Sequence, residues 1–273
     1  MSVDLHIHSA ASDGLHASAE LVTMAAGLGL SAIAITDHDC VDGVDEALAA
    51  SAGLGLRVLP ALELSSHIGQ RDVHFLGYHI DHHNVALAAH LEELRDARLE
   101  RAGEMIDLLR HEGMDVSLDE LLDVAGKGAV GRAHMATLLT KKGYASSVAD
   151  AFERFLQRGA CCYLEKEVMA PERVIELIRQ TGGVPVLAHP GVSRVDEHIE
   201  RLAAVGIEGI EAFHADHSLE QMQRYRALAD RLGLVVTGGS DFHGESVRGL
   251  RVGAVEVPDW VVDALDERAG RGR

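Results

Sequence analysis

The sequence predicts an α/β barrel that carries an inserted helical domain. Short apolar runs alternate with helix-like segments in residues 1–84 and again in residues 163–273, which is the pattern of repeated βα units. Residues 85–162 between them have helical periodicity and no strand-like run, so we predict a helical insertion, or cap, there. The length of 273 residues suits one barrel of roughly 200–250 residues with an insertion.

The first barrel segment begins with a strand and alternates strands with helices up to residue 84. Its last two strands are separated by the turn-like stretch Ile68-Gly69-Gln70, which indicates that they pair with each other. We predict strands at Val3–His8, Ser31–Asp37, Leu56–Ser65 and Asp72–Ile80, and helices at Ala17–Leu30 and Val41–Ala52.

The segment 85–162 has the spacing of amphipathic helices. Ser117 and Glu120 form a capping-box pattern, and further helices are predicted at Gly131–Lys142 and Ser147–Leu156. In an alternative interpretation these are long crossover helices of the barrel itself. The first helix places apolar residues on one face, namely Leu87, Leu91, Leu94, Ala102, Met105 and Leu109.

The βα pattern resumes after residue 165. Pro171 occupies a favourable first helical position, and Ser218 with Gln221 forms a capping box for a helix that ends at Leu232. We predict strands at Val184–His189, Ile207–His214, Leu234–Ser240 and Val252–Val257, and helices at Glu172–Thr181 and His198–Val205.

Composition limits the partners. The net charge of −18 argues against broad binding to nucleic acid, duplex DNA included, because such binding depends on Lys and Arg neutralising phosphates. It leaves room for a small phosphorylated ligand in a local pocket. The three cysteines, two of them adjacent, indicate no disulfide framework. With neither a signal peptide nor a membrane-spanning apolar run evident, we expect a cytoplasmic protein without a membrane partner.

Histidine and carboxylate side chains follow nearly every predicted barrel strand. His6 and His8 are two residues apart on the first strand and therefore point to the same side. Because the carboxyl ends of barrel strands converge on one face, these side chains meet there. Imidazoles and carboxylates suit Zn²⁺, Mn²⁺ and Fe²⁺, and about nine candidates are enough for two or three ions. The candidates are His6, His8, Asp13, His38, Glu63, His74, His189, Asp241 and His243.

These pieces, in this order, resemble the PHP (polymerase and histidinol phosphatase) family. The resemblance implies a distorted (β/α)7 barrel with a trinuclear metal centre, with Mn²⁺ expected first and Fe²⁺ or Zn²⁺ as alternatives. The matching pieces are His6-Ile7-His8-Ser9, Asp13-Gly14, Ile35–Asp39, Glu63, Val73–Tyr78, Ala188–Gly191 and Ser240–His243. By resemblance, one ion takes His6, His8, Glu63 and Asp241, a second shares Glu63 with His74 and His189, and the third takes Asp13, His38 and His243.

Four further residues are candidates for substrate contact or support. The piece Gly131-Arg132-Ala133-His134 resembles the insertion of PHP enzymes that act on nucleotide phosphates. It implies that Arg132 clamps a phosphate, whose geometry a guanidinium matches, with His134 as a second contact. A surface arginine is the alternative. We expect His214, at a strand end, to lie near the substrate, and Asp37 to orient an imidazole, with a strand-end cap as the alternative role.

The predicted function is metal-dependent hydrolysis of small nucleotide phosphate esters, above all the 3′-phosphate of nucleoside 3′,5′-bisphosphates. A helical insertion beside an open metal face would favour small or end-on ligands. Alternatives are 5′-3′ exoribonuclease activity on short RNA and histidinol-phosphate phosphatase activity. Two other classes are a C–N-cleaving amidohydrolase and a non-catalytic metal-binding module. Many amidohydrolases bridge their metals with a modified lysine, and none of the four lysines here follows a predicted barrel strand.

One histidine-rich run is left outside this set. Asp81-His82-His83-Asn84 resembles a metal site by composition, but it lies past the end of its strand. We therefore interpret its histidines as solvated or structural.

Overall fold

The computed structural model describes residues 2–126, 130–166 and 168–270. The chain forms two compact units, one made of Met1–Ala88 with Val168–Arg273 and the other of Ala89–Glu167. The second unit interrupts the first in sequence. The first unit contains the strands β1 (Ser2–Ile7), β2 (Ala32–Ile35), β3 (Arg57–Ile68), β4 (Arg71–Tyr78), β5 (Val184–Leu187), β6 (Gly209–His214), β7 (Val235–Gly239) and β8 (Val257–Pro258).

Helices follow the strands in the first unit and make up the second. A 3₁₀ turn at Asp196–His198 and a π-helical turn at Phe152–Leu156 complete the regular structure of the described residues. The α-helices are α1 (Ser18–Gly27), α2 (Val44–Ala50), α3 (Val85–His111), α4 (Leu118–Ala125), α5 (Arg132–Lys141), α6 (Val148–Ala151), α7 (Pro171–Gln180), α8 (Pro190–Ser193), α9 (Ile199–Val205), α10 (Leu219–Leu232), α11 (Glu245–Arg248) and α12 (Trp260–Arg268).

The strands of the first unit form one sheet in the order β7-β6-β5-β4-β3-β2-β1-β8. Neighbours from β1 to β3 and from β5 to β7 are parallel, whereas β4 is antiparallel to both β3 and β5. The antiparallel strand follows from the predicted hairpin, in which Ile68 pairs with Arg71 across the turn. A hairpin replaces the helical crossover that a parallel strand would need.

The sheet nearly closes where β1 meets β7. The N–H of Asp241 donates to the carbonyl of His6 at 2.9 Å, and the N–H of His8 donates to the carbonyl of Phe242 at 2.9 Å. β8 pairs antiparallel with the start of β1 through Ser2. The seven strands β1–β7 thus form a distorted barrel, and this confirms the predicted fold class.

Apolar residues of the strands and of the last helix fill one core of the first unit. Tyr78 is fully buried there, and its hydroxyl donates to the carbonyl of Leu5 at 2.9 Å. β2 is buried along its whole length, as expected for a central parallel strand. The buried members of this core include Val3, Leu5, Ala34, Leu59, Leu76, Val186, Val257 and Leu265.

The second unit has a core of its own. The predicted capping box is present, since Ser117 Oγ accepts the N–H of Glu120 at 3.2 Å and the Glu120 carboxylate accepts the N–H of Ser117 at 2.9 Å. The predicted helix Ser147–Leu156 is split into α6 and the π-helical turn. The core of the second unit includes Met105, Leu109, Leu121, Met135, Leu139 and Leu156.

One sequence prediction about the first unit was wrong. The strand predicted at Val252–Val257 is mostly a turn, and only Val257 and Pro258 belong to β8. The reason is Gly253, whose N–H donates to the Asp4 carboxylate at 2.8 Å and whose φ of +72° breaks an extended conformation. Among the described residues, no helix has both the length and the apolar character needed to cross a membrane.

Candidate metal centre

Two strands approach closely where the first pair of candidate ligands lies. A Cβ atom on Gly239 in β7 would stand 2.3 Å from the backbone nitrogen of His6, so glycine is required there. The Nε2 atoms of His6 and His8 lie 3.1 Å apart on one side of β1. Asp241 lies two residues beyond Gly239. Its Oδ1 is 3.5 Å from His6 Nε2 and 3.2 Å from His8 Nε2.

Glu63 stands at the middle of the cluster and is fully buried on β3. Its Oε1 accepts hydrogen bonds from His74 Nδ1 at 2.9 Å and from His189 Nε2 at 3.1 Å. Its Oε2 lies 3.0 Å from His38 Nδ1 and 3.3 Å from His8 Nε2. The two oxygens therefore face imidazoles of different chain segments, as in a carboxylate that bridges two cations.

The loop after β1 supplies the opposite side of the cluster. Asp13 Oδ1 lies 3.4 Å from His243 Nε2 and 3.9 Å from His8 Nδ1, and the rings of His8 and His243 stack at 4.0 Å. A Cβ atom on Gly14 would stand 2.2 Å from the carbonyl oxygen of His8. Glycine at this position therefore allows the loop to fold back and carry Asp13 to the histidines.

Two candidate ligands have strained backbone conformations. His189 and Asp241 follow their strands with φ values of +25° and +53°. Residues other than glycine rarely adopt this left-handed backbone conformation, and such strain is concentrated at functional sites. In both residues the turn redirects the side chain from the strand into the cluster.

Burial and neighbouring charge act against each other on the carboxylates. Burial disfavours ionisation of Glu63, but the imidazoles of His38, His74 and His6 outweigh it and hold the pKa of Glu63 well below its usual range. The pKa of Asp241 is likewise held well below its usual range, with His6 the main cause that outweighs burial. The carboxylates of the cluster are therefore ionised at neutral pH.

The pKa values of two candidate imidazoles shift in opposite directions. Burial lowers the pKa of His38 to about 4, so that this ring is neutral and able to bind a metal at neutral pH. Burial also disfavours charge on His8, but the carboxylates of Asp241 and Glu63 outweigh it and raise the pKa of His8 to about 10. Without a cation, the excess negative charge of the cluster is offset by a proton on His8.

The donor atoms fit divalent cations. The buried atoms His8 Nδ1, His38 Nδ1 and Glu63 Oε2 form no hydrogen bond with the described residues, and such atoms are costly unless something else satisfies them. Groups of three or four donors lie within 4.8 Å of one another, the spacing expected around shared ions. These groups bring together all nine candidates and include His8 with Asp13, His38 and His243; His6 with His8 and Asp241; His6 with Glu63 and His189; and His38 with Glu63 and His74.

Sequence analysis missed Glu211 as part of this site. It is fully buried on β6, where its Oε1 accepts from His6 Nδ1 at 2.9 Å and its Oε2 accepts from the N–H of His189 at 2.8 Å. One carboxylate thus fixes the ring of one candidate ligand and the backbone of another. The signal was a charged residue inside the apolar run Ile210-Glu211-Ala212.

Asp37 and His214 lie in different surroundings, and their predicted roles stay predictions. Asp37 accepts from the hydroxyls of Ser9 and Ser12, both at 2.6 Å, and thereby holds the loop after β1. Glu211, in contrast, contacts an imidazole directly, that of His6. His214 is fully buried, and its Nε2 lies 3.5 Å from Asp241 Oδ2, so it lies beside a candidate metal ligand.

The second unit holds the other two predicted residues at the start of α5. The Arg132 guanidinium lies 5.4 Å from the ring centre of Tyr163 and 5.9 Å from that of Phe152, a cation–π arrangement. The guanidiniums of Arg101 and Arg158 also lie 5.7 and 5.8 Å from the Tyr163 ring. His134 Nδ1 accepts the N–H of Gly131 at 3.3 Å.

Three bacterial proteins are similar to this sequence over 88–93% of its length. A 3′,5′-nucleoside bisphosphate phosphatase of Chromobacterium violaceum is 36% identical over 93% of this chain and 92% of its own. A phosphoribosyl 1,2-cyclic phosphate 1,2-diphosphodiesterase of Eggerthella lenta is 32% identical over 93% of this chain and 98% of its own. The 5′-3′ exoribonuclease Rnm of Escherichia coli is 32% identical over 88% of this chain and 84% of its own.

A structural comparison and a family match point to the same kind of protein as these relatives. The crystal structure of a candidate metal-dependent phosphoesterase from Bifidobacterium adolescentis superposes with a TM-score of 0.89 at 31% identity, over 99% of this chain and 96% of the other. Residues 4–165 match the PHP domain family, and the metal-type cluster described above lies in the barrel unit. The chain therefore belongs to the PHP domain family and is a metal-dependent phosphoesterase.

Proposed function

We propose that this enzyme removes the 3′-phosphate from nucleoside 3′,5′-bisphosphates. The observation that carries the proposal is the 36% identity, over 93% of the chain, with a phosphatase named for that substrate. The cluster of histidines and carboxylates around Glu63 supports it, since two or three divalent cations there would hold a small phosphate group. The net charge of −18 favours a small substrate over a long polynucleotide.

In the proposed mechanism the protein fixes the cations and orients the phosphate. The nine candidate ligands would hold the metal, with Glu63 between ion positions and Asp13, His38 and His243 on the loop side. When bound, divalent cations supply the Lewis acidity that activates water and offsets charge on the phosphoryl oxygens. Glu211 keeps the proton of His6 on Nδ1, so that Nε2 faces the cluster. No serine or cysteine nucleophile is required.

We propose Arg132 as a phosphate contact, with His134 as its neighbour. Its guanidinium presents several N–H donors in the planar geometry that suits a phosphate, and it lies 5.4 Å from the ring centre of Tyr163. We also propose Mn²⁺ as the metal, since an imidazole and carboxylate donor set suits it, with Fe²⁺ and Zn²⁺ as alternatives. We also propose a cytoplasmic location, since the described residues contain no disulfide, and we propose Ala89–Glu167 as an inserted domain.

The test is phosphate release from adenosine 3′,5′-bisphosphate with added Mn²⁺, with the products resolved by mass. We expect adenosine 5′-monophosphate and phosphate. Asp13→Ala, which removes a candidate ligand, should eliminate the release, while Asp42→Ala, outside the cluster, serves as the control. No release by metal-loaded enzyme would overturn the substrate proposal.

A second candidate is attack on the 5′ end of short RNA. It is favoured by the relatives named 5′-3′ exoribonuclease, which are 32% identical over 88% of this chain. A 5′-labelled oligoribonucleotide in the same assay separates the two candidates, because release of mononucleotides from its end requires cleavage of a diester. Histidinol phosphate and a ribose cyclic phosphate complete the substrate panel.

A further inference from the structure

We propose that the barrel unit has a separate divalent-cation site formed by Asp45, His82 and His83. Asp45 lies in the first turn of α2, and the two histidines lie in the turn between β4 and α3. His82 Nε2 lies 2.9 Å and His83 Nε2 lies 3.5 Å from the same oxygen, Oδ1 of Asp45. Two imidazoles from one segment and a carboxylate from another thus converge on one point.

The spacing of the two imidazole rings is close to that of a ring pair in the main cluster. The ring centres of His82 and His83 lie 4.1 Å apart, compared with 4.0 Å for His8 and His243. The separations of 2.9 and 3.5 Å between donor atoms are those of ligands on one ion, because two ligands at about 2.1 Å from zinc lie about 3.0–3.4 Å apart in octahedral or tetrahedral geometry.

The turn that carries the histidines is held in place by its own hydrogen bonds. Asp81 Oδ1 accepts the N–H of His83 at 3.1 Å, and the N–H of Asp81 donates to the carbonyl of Thr181 at 2.9 Å. Asn84 Oδ1 accepts the N–H of Leu87 at 3.1 Å and so fixes the start of α3. A site whose ligands are already oriented loses less conformational entropy on binding.

The donor atoms favour a divalent metal ion of intermediate softness. Two imidazoles and one carboxylate suit Zn²⁺, with water completing the coordination at this exposed position. The side chain of His82 is only 12% exposed, whereas those of His83 and Asp45 are 70% and 68% exposed, so the ion can enter from solvent. The bound ion would join the start of α2 to the turn before α3, and it would stabilise the barrel unit by mass action.

This site is distinct from the main cluster, since none of its three residues is among the nine candidate ligands. Sequence analysis interpreted His82 and His83 as solvated or structural because they lie past a strand end. The missing third ligand, Asp45, comes from a segment 37 positions away in sequence. Only the folded structure brings the three together.

The experiment counts zinc ions on the full-length chain by elemental mass spectrometry after equilibrium dialysis against Zn²⁺. We expect Asp45→Asn and His83→Gln each to bind one zinc fewer per chain than the wild type. His198→Gln, which changes a half-buried histidine elsewhere in the unit, should bind the wild-type number. Circular dichroism verifies that each variant is folded, and all of these changes lie at the surface.

Two results would overturn the proposal. Equal zinc counts in the wild type and both variants would show that the three side chains form only a surface ion pair. Loss of Mn²⁺-supported phosphoesterase activity in Asp45→Asn would place this residue in the main centre. We expect that activity to be unchanged, and crystals soaked in Zn²⁺ should show an anomalous peak beside Asp45 Oδ1.

Discussion

The barrel cluster and the arginines around Tyr163 in the helical unit hold their charges in different ways. Glu63 is fully buried, and both of its oxygens face imidazoles of several chain segments. The Arg132 guanidinium lies against the rings of Phe152 and Tyr163, and its Nη1 donates to the carbonyl of Leu156 at 3.5 Å. Backbone positions thus determine the metal-type cluster, whereas a long flexible side chain supplies the proposed phosphate contact. Changes in the first region should therefore abolish function, and changes in the second should only weaken it.

The largest effect is expected for Glu63→Gln. The substitution keeps the shape but removes the charge that faces five imidazoles, so metal loading should fail and turnover should fall by more than about a thousandfold. Metal content and phosphate release on one preparation measure both losses. Glu200→Gln, on the surface of α9, is the matched control and should behave as the wild type. Full metal content in Glu63→Gln would refute the central role of Glu63.

The next effect separates the metal-free from the metal-loaded cluster by pH. In the metal-free protein the pKa of His8 is raised to about 10, above its unfolded value of 6.5. The stability that protonated His8 contributes is therefore full below pH 6.5 and is lost as pH rises towards 10, by an amount on the order of a few kcal/mol. Thermal unfolding of chelated protein across this range should show the decline. The loaded protein should show it much less, because a cation replaces the proton.

The two regions also differ in how much of their structure the sequence predicts. The nine ligand candidates were identified because histidine and carboxylate side chains follow nearly every predicted strand, and strand ends of a barrel converge. Glu211 was missed because it lies inside an apolar run, where only the fold shows that it faces His6 and His189. The π-helical turn at Phe152–Leu156 was also missed, since helical periodicity does not register a local widening.

Glu211 gives a test of intermediate size. Glu211→Gln keeps one carbonyl oxygen as a hydrogen-bond acceptor for either His6 or His189, but it removes the negative charge that stabilises both contacts. Metal affinity should therefore fall by roughly 10- to 100-fold. Glu211→Ala should lose more, because the His189 backbone also loses its acceptor. Metal titration followed by calorimetry measures the affinity directly. Equal affinity in the wild type and both variants would show that Glu211 only fills space.

In the helical unit we expect a graded effect. Arg132→Gln removes the charge that would pair with a phosphate, and KM should rise by about tenfold, the equivalent of roughly 1.4 kcal/mol, with metal content unchanged. Arg132→Lys should restore part of this loss, because the charge returns without the paired donors. Arg110→Gln, on α3, is the control. An unchanged KM in Arg132→Gln would favour the alternative that Arg132 is an ordinary surface arginine.

The smallest effect concerns the stability of the helical unit alone. Ser117→Ala removes the side-chain acceptor for the N–H of Glu120 at the start of α4, which should cost about 1 kcal/mol of helix stability. Because Ser117 contacts neither the metal ligands nor the arginines around Tyr163, metal content and KM should stay unchanged. Hydrogen exchange resolved by segment should show faster exchange in α4 and no change in β1 or β3. Faster exchange throughout both units would show instead that the two units unfold as one, and the contrast between them would then apply to their chemistry only.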